Sequence, residues 1–189
     1  KVYGAKAQHY ADITASDGED RLLTAFIAAL PAGGRVLDLG CGPGAAAKVM
    51  AGAGLQVDAM DAVPEMVEMA ARHPGVTAWV ASFDDMKGVD LYDGIWANFS
   101  LLHAARADMP GHLNAIAQAL KPGGLVHVAL KSGTGARRDT LGRLYTYYTE
   151  DELCDLLRGA GLSIGETTTG SGKGMDGTMS DWVAVSAHG

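Results

Sequence analysis

Val36-Leu37-Asp38-Leu39-Gly40-Cys41-Gly42-Pro43-Gly44 decides how this chain is read. Its first residues are mostly apolar and make a short strand. The glycines then turn the chain without side chains in the way, and the alanine-rich run 45–53 reads as a helix. A strand, a bare turn and a helix N-terminus form a corner where a ligand can approach the backbone. Gly40 and Gly42 can take positive φ. Pro43 suits the first helical turn, where its missing N–H is no loss.

The pattern Gly40-x-Gly42-x-x-Ala45 also fits a relaxed dinucleotide fingerprint, so the glycines alone do not choose the ligand. Asp38 is read as the discriminator. A carboxylate at the mouth of the turn repels a pyrophosphate. S-adenosylmethionine carries no phosphate and brings two cationic groups, a sulfonium and an ammonium. The whole block closely resembles the first motif of the class I S-adenosylmethionine-dependent methyltransferases. That resemblance implies that Asp38, Gly40, Cys41 and Gly42 lie at the cofactor, with Cys41 there because it is small rather than as a nucleophile.

Working outward, the chain reads as one domain over 1–189. Residues 1–30 form an N-terminal helical arm, in which Leu22, Leu23, Phe26, Ile27 and Leu30 make an apolar face at helical spacing. Strands are expected at 35–39, 55–60, 76–80, 92–97 and 125–130, with helices between them from 45, from Pro64 and over 110–120. Strands alternating with helices imply a parallel sheet. Residues 131–148 break the alternation and read as an insertion or lid with a short helix over 141–148. Thr149-Glu150-Asp151-Glu152 is a capping box that opens a last helix, which Gly161 stops. Strands at 162–168 and 182–187 follow with a glycine-rich loop, 170–177, and no helix between them, so they should pair antiparallel. The fold class is therefore α/β: a Rossmann-like, doubly wound sheet of seven strands, mostly parallel, with a C-terminal antiparallel hairpin and helices on both faces. The methyltransferase resemblance implies the same architecture.

Asp61 closes the second strand about 20 residues after the glycine turn, where an acid can accept both ribose hydroxyls; its plain alternative is a surface acid. By resemblance, Asp61-Ala62-Val63-Pro64-Glu65-Met66 matches a family Asp-x-Ser-x-x-Met pattern. Val63 replaces the capping Ser, and Met66 would pack on the adenine. Ser82-Phe83-Asp84-Asp85 resembles the segment whose acid bonds the adenine amino group, which points to Asp84, with Asp85 as the alternative and a Phe83 backbone N–H beside it. The block 93–103 resembles the family motif of the fourth strand. It implies that the backbone at Asn98 and Phe99 holds the methionine end, with Asn98, Ser100 and His103 facing the reaction. His103 is the candidate base; otherwise it is a structural histidine at a helix start. Tyr3, Tyr10, Ser100, Lys131 and Tyr147 are the candidate substrate contacts. Tyr145, Tyr147 and Tyr148 read equally well as a structural cluster. Lys131, Arg137, Arg138 and Arg143 are a solvated face or a site for an anionic acceptor.

A formal net charge of −7 speaks against a nucleic-acid partner, and no apolar run is long enough for a membrane span. Cys41 and Cys154 form neither a disulfide framework nor a metal pattern, and no metal is expected. With no signal peptide seen, the cytoplasm is the expected compartment. The expected activity is methyl transfer from S-adenosylmethionine, leaving S-adenosylhomocysteine, to an O, N, S or C nucleophile of a small molecule. The alternatives are a nicotinamide-dependent oxidoreductase and a non-catalytic S-adenosylmethionine-binding protein. Residues 3–16 of the arm, the insertion and the 170–177 loop are expected to be mobile until ligand binds.

Overall fold

Short apolar strands that alternate with amphipathic helices must bury both faces of one sheet. A computed structural model describes residues 17–138, 142–173 and 178–189 and shows that arrangement. Helix α1 (Asp17–Ala28) leads into β1 (Arg35–Leu39), α2 (Ala45–Gly52), β2 (Gln56–Asp61), α3 (Pro64–Ala70) and β3 (Val76–Val80). Then come β4 (Tyr92–Asn98), α4 (Met109–Ala119), β5 (Leu120–Lys131), β6 (Ala136–Arg138), β7 (Leu144–Thr146), α5 (Glu150–Gly159), β8 (Ser163–Lys173) and β9 (Met179–His188). Two short 3₁₀ turns, Phe83–Asp85 and Leu101–His103, follow β3 and β4.

The main sheet has the order β3-β2-β1-β4-β5-β9-β8. All neighbours run parallel except β9, which is antiparallel to both β5 and β8. The strand order reverses between β1 and β4, and in such sheets the crevice beyond the strand C-termini at that point receives ligands. One apolar cluster lies under α4 and α5, with Leu113, Ile116, Leu153 and Leu157 fully buried. A smaller one lies under α1 and α2, around Phe26, Met50 and Trp96. Gly94 admits α1 to the sheet: a Cβ there would stand 2.7 Å from Cζ of Phe26.

Three expectations fail. The segment read as a helix over 141–148 is extended in its described part. Strand β7 pairs with β6 as a separate antiparallel hairpin, with Ala136 opposite Thr146 and Arg138 opposite Leu144. Leu-Tyr-Thr-Tyr-Tyr is rich in the aromatic and β-branched residues that favour strands. Tyr145, Tyr147 and Tyr148 of the insertion are all buried in the larger core. The glycine-rich loop is shorter than expected: Gly170–Lys173 continue β8 and pair with β9, while 174–177 lie outside the described residues. Finally, Pro43 precedes the helix instead of opening it. Gly44, at φ 83°, is the N-cap of α2.

Candidate functional site

The glycine turn hangs from the end of β2, where Met60 O accepts from the N–H groups of Gly40 and Cys41 at 2.8 and 3.0 Å. Gly40 and Gly42 have φ of 76° and 53°. Gly40 faces the exit of β4, and any Cβ on it would overlap Cβ of Ser100. Asp61 braces the turn from the next strand. Its Oδ2 accepts from Gly42 N–H and its Oδ1 from Val63 N–H, both at 2.9 Å. Partial burial pushes its carboxyl above the usual range, against the pull of those N–H groups. Val63 is the N-cap of α3 and has no capping side chain, so Asp61 serves that helix start from two residues upstream.

A cavity of about 230 Å³ opens beside this turn. Gly40, Gly42, Asp61, Ala62, Val63 and Met66 line it, together with Met60 and Ala81, then Ser82 and Phe83, and at the other end Phe99, Ser100 and His103. Most of the expected cofactor residues thus meet in one place, and Ser100 and His103 join them. Phe99 has φ of 51°, a conformation that is costly for a bulky residue and is concentrated at functional sites. Its N–H donates to Ala129 O at 2.9 Å. Ser100 is buried, and its Oγ has no hydrogen-bond partner among the described residues. His103 has its Nδ1 2.8 Å from Leu144 O and its ring edge-on to Tyr145, centroids 4.8 Å apart.

Asp38 is not at the mouth of the turn. It is 3% exposed, outside the cavity lining, and its Oδ2 accepts from Ala47 N–H at 3.1 Å. Because Gly44 has no side chain to cap α2, Asp38 does so from β1. Burial raises its carboxyl to about 7; the Ala47 N–H opposes the rise and the charge of Asp61 adds to it. Asp38 therefore does not discriminate between cofactors by repulsion. Cys41 is also buried away from the cavity, in the smaller core. Burial pushes its thiol up.

Asp84, expected at the adenine, lies off the cavity lining. Its side chain is 84% exposed, and its Oδ1 lies 3.8 Å from His112 Nδ1, outside the cavity. Asp85 is engaged in a capping box, its Oδ2 accepting from Ser82 N–H at 2.9 Å and from Ser82 Oγ–H at 2.7 Å. Ser82 is the polar side chain of this segment that reaches the cavity wall. Asn98 turns toward β5, where its Oδ1 is 3.1 Å from Nε2 of His127, and that ring stacks on Trp96 with centroids 3.8 Å apart. Asn98 thus supports the sheet, and its side chain does not face the reaction site.

Of the expected substrate contacts, Tyr3 and Tyr10 lie outside the described residues. Tyr147 is buried off the cavity, and its hydroxyl accepts from Arg137 Nε at 2.8 Å. Lys131 is not in the cavity lining. Its Nζ stands 4.4 Å from the centroid of Tyr145, and Arg143 shares that ring with Cζ at 5.1 Å. The three tyrosines are core residues that carry cations on their faces; Tyr145 also touches a cavity residue, His103.

Residues 7–167 match the family described as Methyltransferase domain. The ubiquinone biosynthesis O-methyltransferase of Xanthomonas axonopodis pv. citri is 33% identical over 156 residues, which is 71% of this chain and 64% of that relative. The chain thus spans less than two thirds of that relative's length. Among solved structures, the 1,6-didemethyltoxoflavin-N1-methyltransferase of Burkholderia thailandensis was determined with 1,6-didemethyltoxoflavin and S-adenosylhomocysteine bound. It superposes with a TM-score of 0.80 at 24% identity, over 98% of this chain and 83% of that one. The [4+2]-cyclase SpnF shares the fold too, with a TM-score of 0.71 at 21% identity over 89% and 80% of the two chains. These likenesses concern the fold, whereas the family match runs through the glycine turn, Asp61 and the β4 exit. The chain belongs to the class I S-adenosylmethionine-dependent methyltransferase family.

Proposed function

We propose that the protein binds S-adenosylmethionine in this cavity and transfers its methyl group to a nucleophile on a small-molecule acceptor. The observation that carries this reading is the continuity of one cavity from Asp61 and the glycine turn to Phe99, Ser100 and His103. The residues present suit the cofactor. Asp61 is a carboxylate at the wall for a ribose diol. Met60, Met66 and Phe83 form an apolar slot for a base, with the Ser82 hydroxyl at its edge. The buried Ser100 hydroxyl beside the turn lacks a protein partner among the described residues. When bound, the cofactor supplies a methyl group already activated on a sulfonium. The chain's own residues then have to align the acceptor in line with it and exclude water. Where the acceptor is a hydroxyl, His103 accepts its proton at Nε2. The name of the Xanthomonas relatives makes hydroxyl acceptors the first class to test.

The proposed acceptor is a small molecule rather than a nucleic acid. The hairpin of the 131–148 insertion borders its site, and a cytoplasmic location is the corresponding proposal. Among the described residues no helix is long and apolar enough to cross a membrane.

Calorimetric titration with S-adenosylhomocysteine, followed by a screen of phenolic and other acceptors read by S-adenosylhomocysteine release, tests the reading. Asp61→Ala is expected to weaken binding at least about tenfold, since hydrogen bonds to a charged group contribute roughly 1.5–3 kcal/mol each. An unchanged dissociation constant removes the ribose assignment. Tight binding without turnover on any acceptor favours a non-catalytic binding protein.

A further inference from the structure

We propose that the β6–β7 hairpin is the positioning element for His103, and that Thr146 is the residue through which it acts. This rests on His103 being the base. His103 ends a 3₁₀ turn of three residues held by two internal bonds, His103 N–H to Ser100 O at 3.2 Å and Ala104 N–H to Leu101 O at 3.0 Å. Such a turn is too short to orient a ring by itself. The orientation comes from 41 residues further on, where Leu144 O stands 2.8 Å from Nδ1. A carbonyl oxygen only accepts, so Nδ1 carries the proton and, in the neutral ring, Nε2 is the basic nitrogen. The edge-on contact with Tyr145 fixes the ring plane.

The carbonyl can do this only if β7 lies in one place. Leu144 through its backbone carbonyl and Thr146 through its side chain both reach back to the turn. The fully buried Thr146 donates its Oγ1–H to Ala104 O at 2.8 Å, one residue beyond His103. Arg106 fastens the strand's far end, donating to Tyr147 O and to Glu152 Oε1. The outer strand β6 is exposed throughout. One bond of β7 therefore selects the tautomer of His103, and the Thr146 bond holds the strand that provides it.

The test uses the whole chain with Thr146→Val, which nearly keeps shape but loses the hydroxyl, Thr146→Ser, which keeps it, and His103→Asn. Nitrogen NMR of the His103 ring in the presence of S-adenosylhomocysteine is expected to show protonation at Nδ1 in the wild type and in Thr146→Ser, and a mixture of tautomers in Thr146→Val. With an acceptor from the screen, Thr146→Val is expected to lower kcat about tenfold. KM and S-adenosylhomocysteine affinity should stay within about twofold, and Thr146→Ser should restore kcat. A wild-type ring spectrum or wild-type kcat in Thr146→Val overturns the proposal. So does a Thr146→Ser enzyme as slow as Thr146→Val, which would mean packing alone. Normal turnover in His103→Asn refutes the base reading itself, whereas the ring spectra report the positioning independently of it.

Discussion

At the scale of single residues, two aspartates near the glycine turn divide the work differently from their order in the sequence. Asp61 stands at the cavity and braces Gly42. Asp38 sits one strand behind it and caps α2 through Ala47. Burial raises the Asp38 carboxyl from 3.8 to about 7. Between those values the folded chain keeps a proton that the unfolded chain has lost, so this group makes stability fall as pH rises from about 4 to about 7. Asp38→Asn retains an oxygen for the Ala47 N–H and removes the charge. It is expected to stabilise the unliganded protein by about 2–4 kcal/mol at pH 8 and by little at pH 4. Denaturant midpoints at the two pH values check this; a variant no more stable than wild type at pH 8 contradicts it.

At the scale of elements, α5 shows local signals and tertiary packing in agreement. Thr149 Oγ1 accepts from Glu152 N–H at 3.2 Å, and Glu152 Oε2 accepts from Thr149 N–H at 2.9 Å. Behind this box, Leu153 and Leu157 are fully buried. Thr149→Ala removes one side of the box and is expected to cost about 1 kcal/mol. That corresponds to a fall in melting temperature of about 2–4 °C, with Thr149→Ser close to wild type. An unshifted melting curve for Thr149→Ala would mean that packing alone holds the helix start. The neighbouring hairpin is the opposite case. Its inner strand owes its place to Thr146, Tyr145 and Arg106, contacts made across about 40 residues of sequence.

At the scale of the whole molecule, the sheet order brings β1, β2 and β4 side by side, so that their C-terminal ends converge on one cavity. Ligand that binds only the folded state must then stabilise all of it. At a hundredfold excess over its dissociation constant, S-adenosylhomocysteine is expected to add about 2.7 kcal/mol, a rise of about 5–10 °C in melting temperature. NADH is expected to give no shift. The reverse pattern in a thermal melt would restore the oxidoreductase reading, which the buried position of Asp38 no longer opposes by charge.

Local spacing alone marks out most of the strand and helix order, the glycine turn, the acid Asp61 at the end of β2, the capping box of α5 and the antiparallel end of the sheet. Each of these is written in local spacing: period, turn residues, caps. It also singled out Gly40, Gly42, Met66, Phe99, Ser100 and His103, which the cavity brings together. Which side chains reach that cavity depends on tertiary packing. Asp38 is drawn inward to a helix that lacks its own cap. Asp84 is turned out beside Asp85, which takes the capping position, and Asn98 is turned toward His127. The strand β7 forms where a helix was expected because its Tyr145 finds a core to enter and its backbone finds β6 and the turn at His103. Direction and burial of a side chain depend on what the rest of the chain places opposite it, and spacing along the chain carries no record of that.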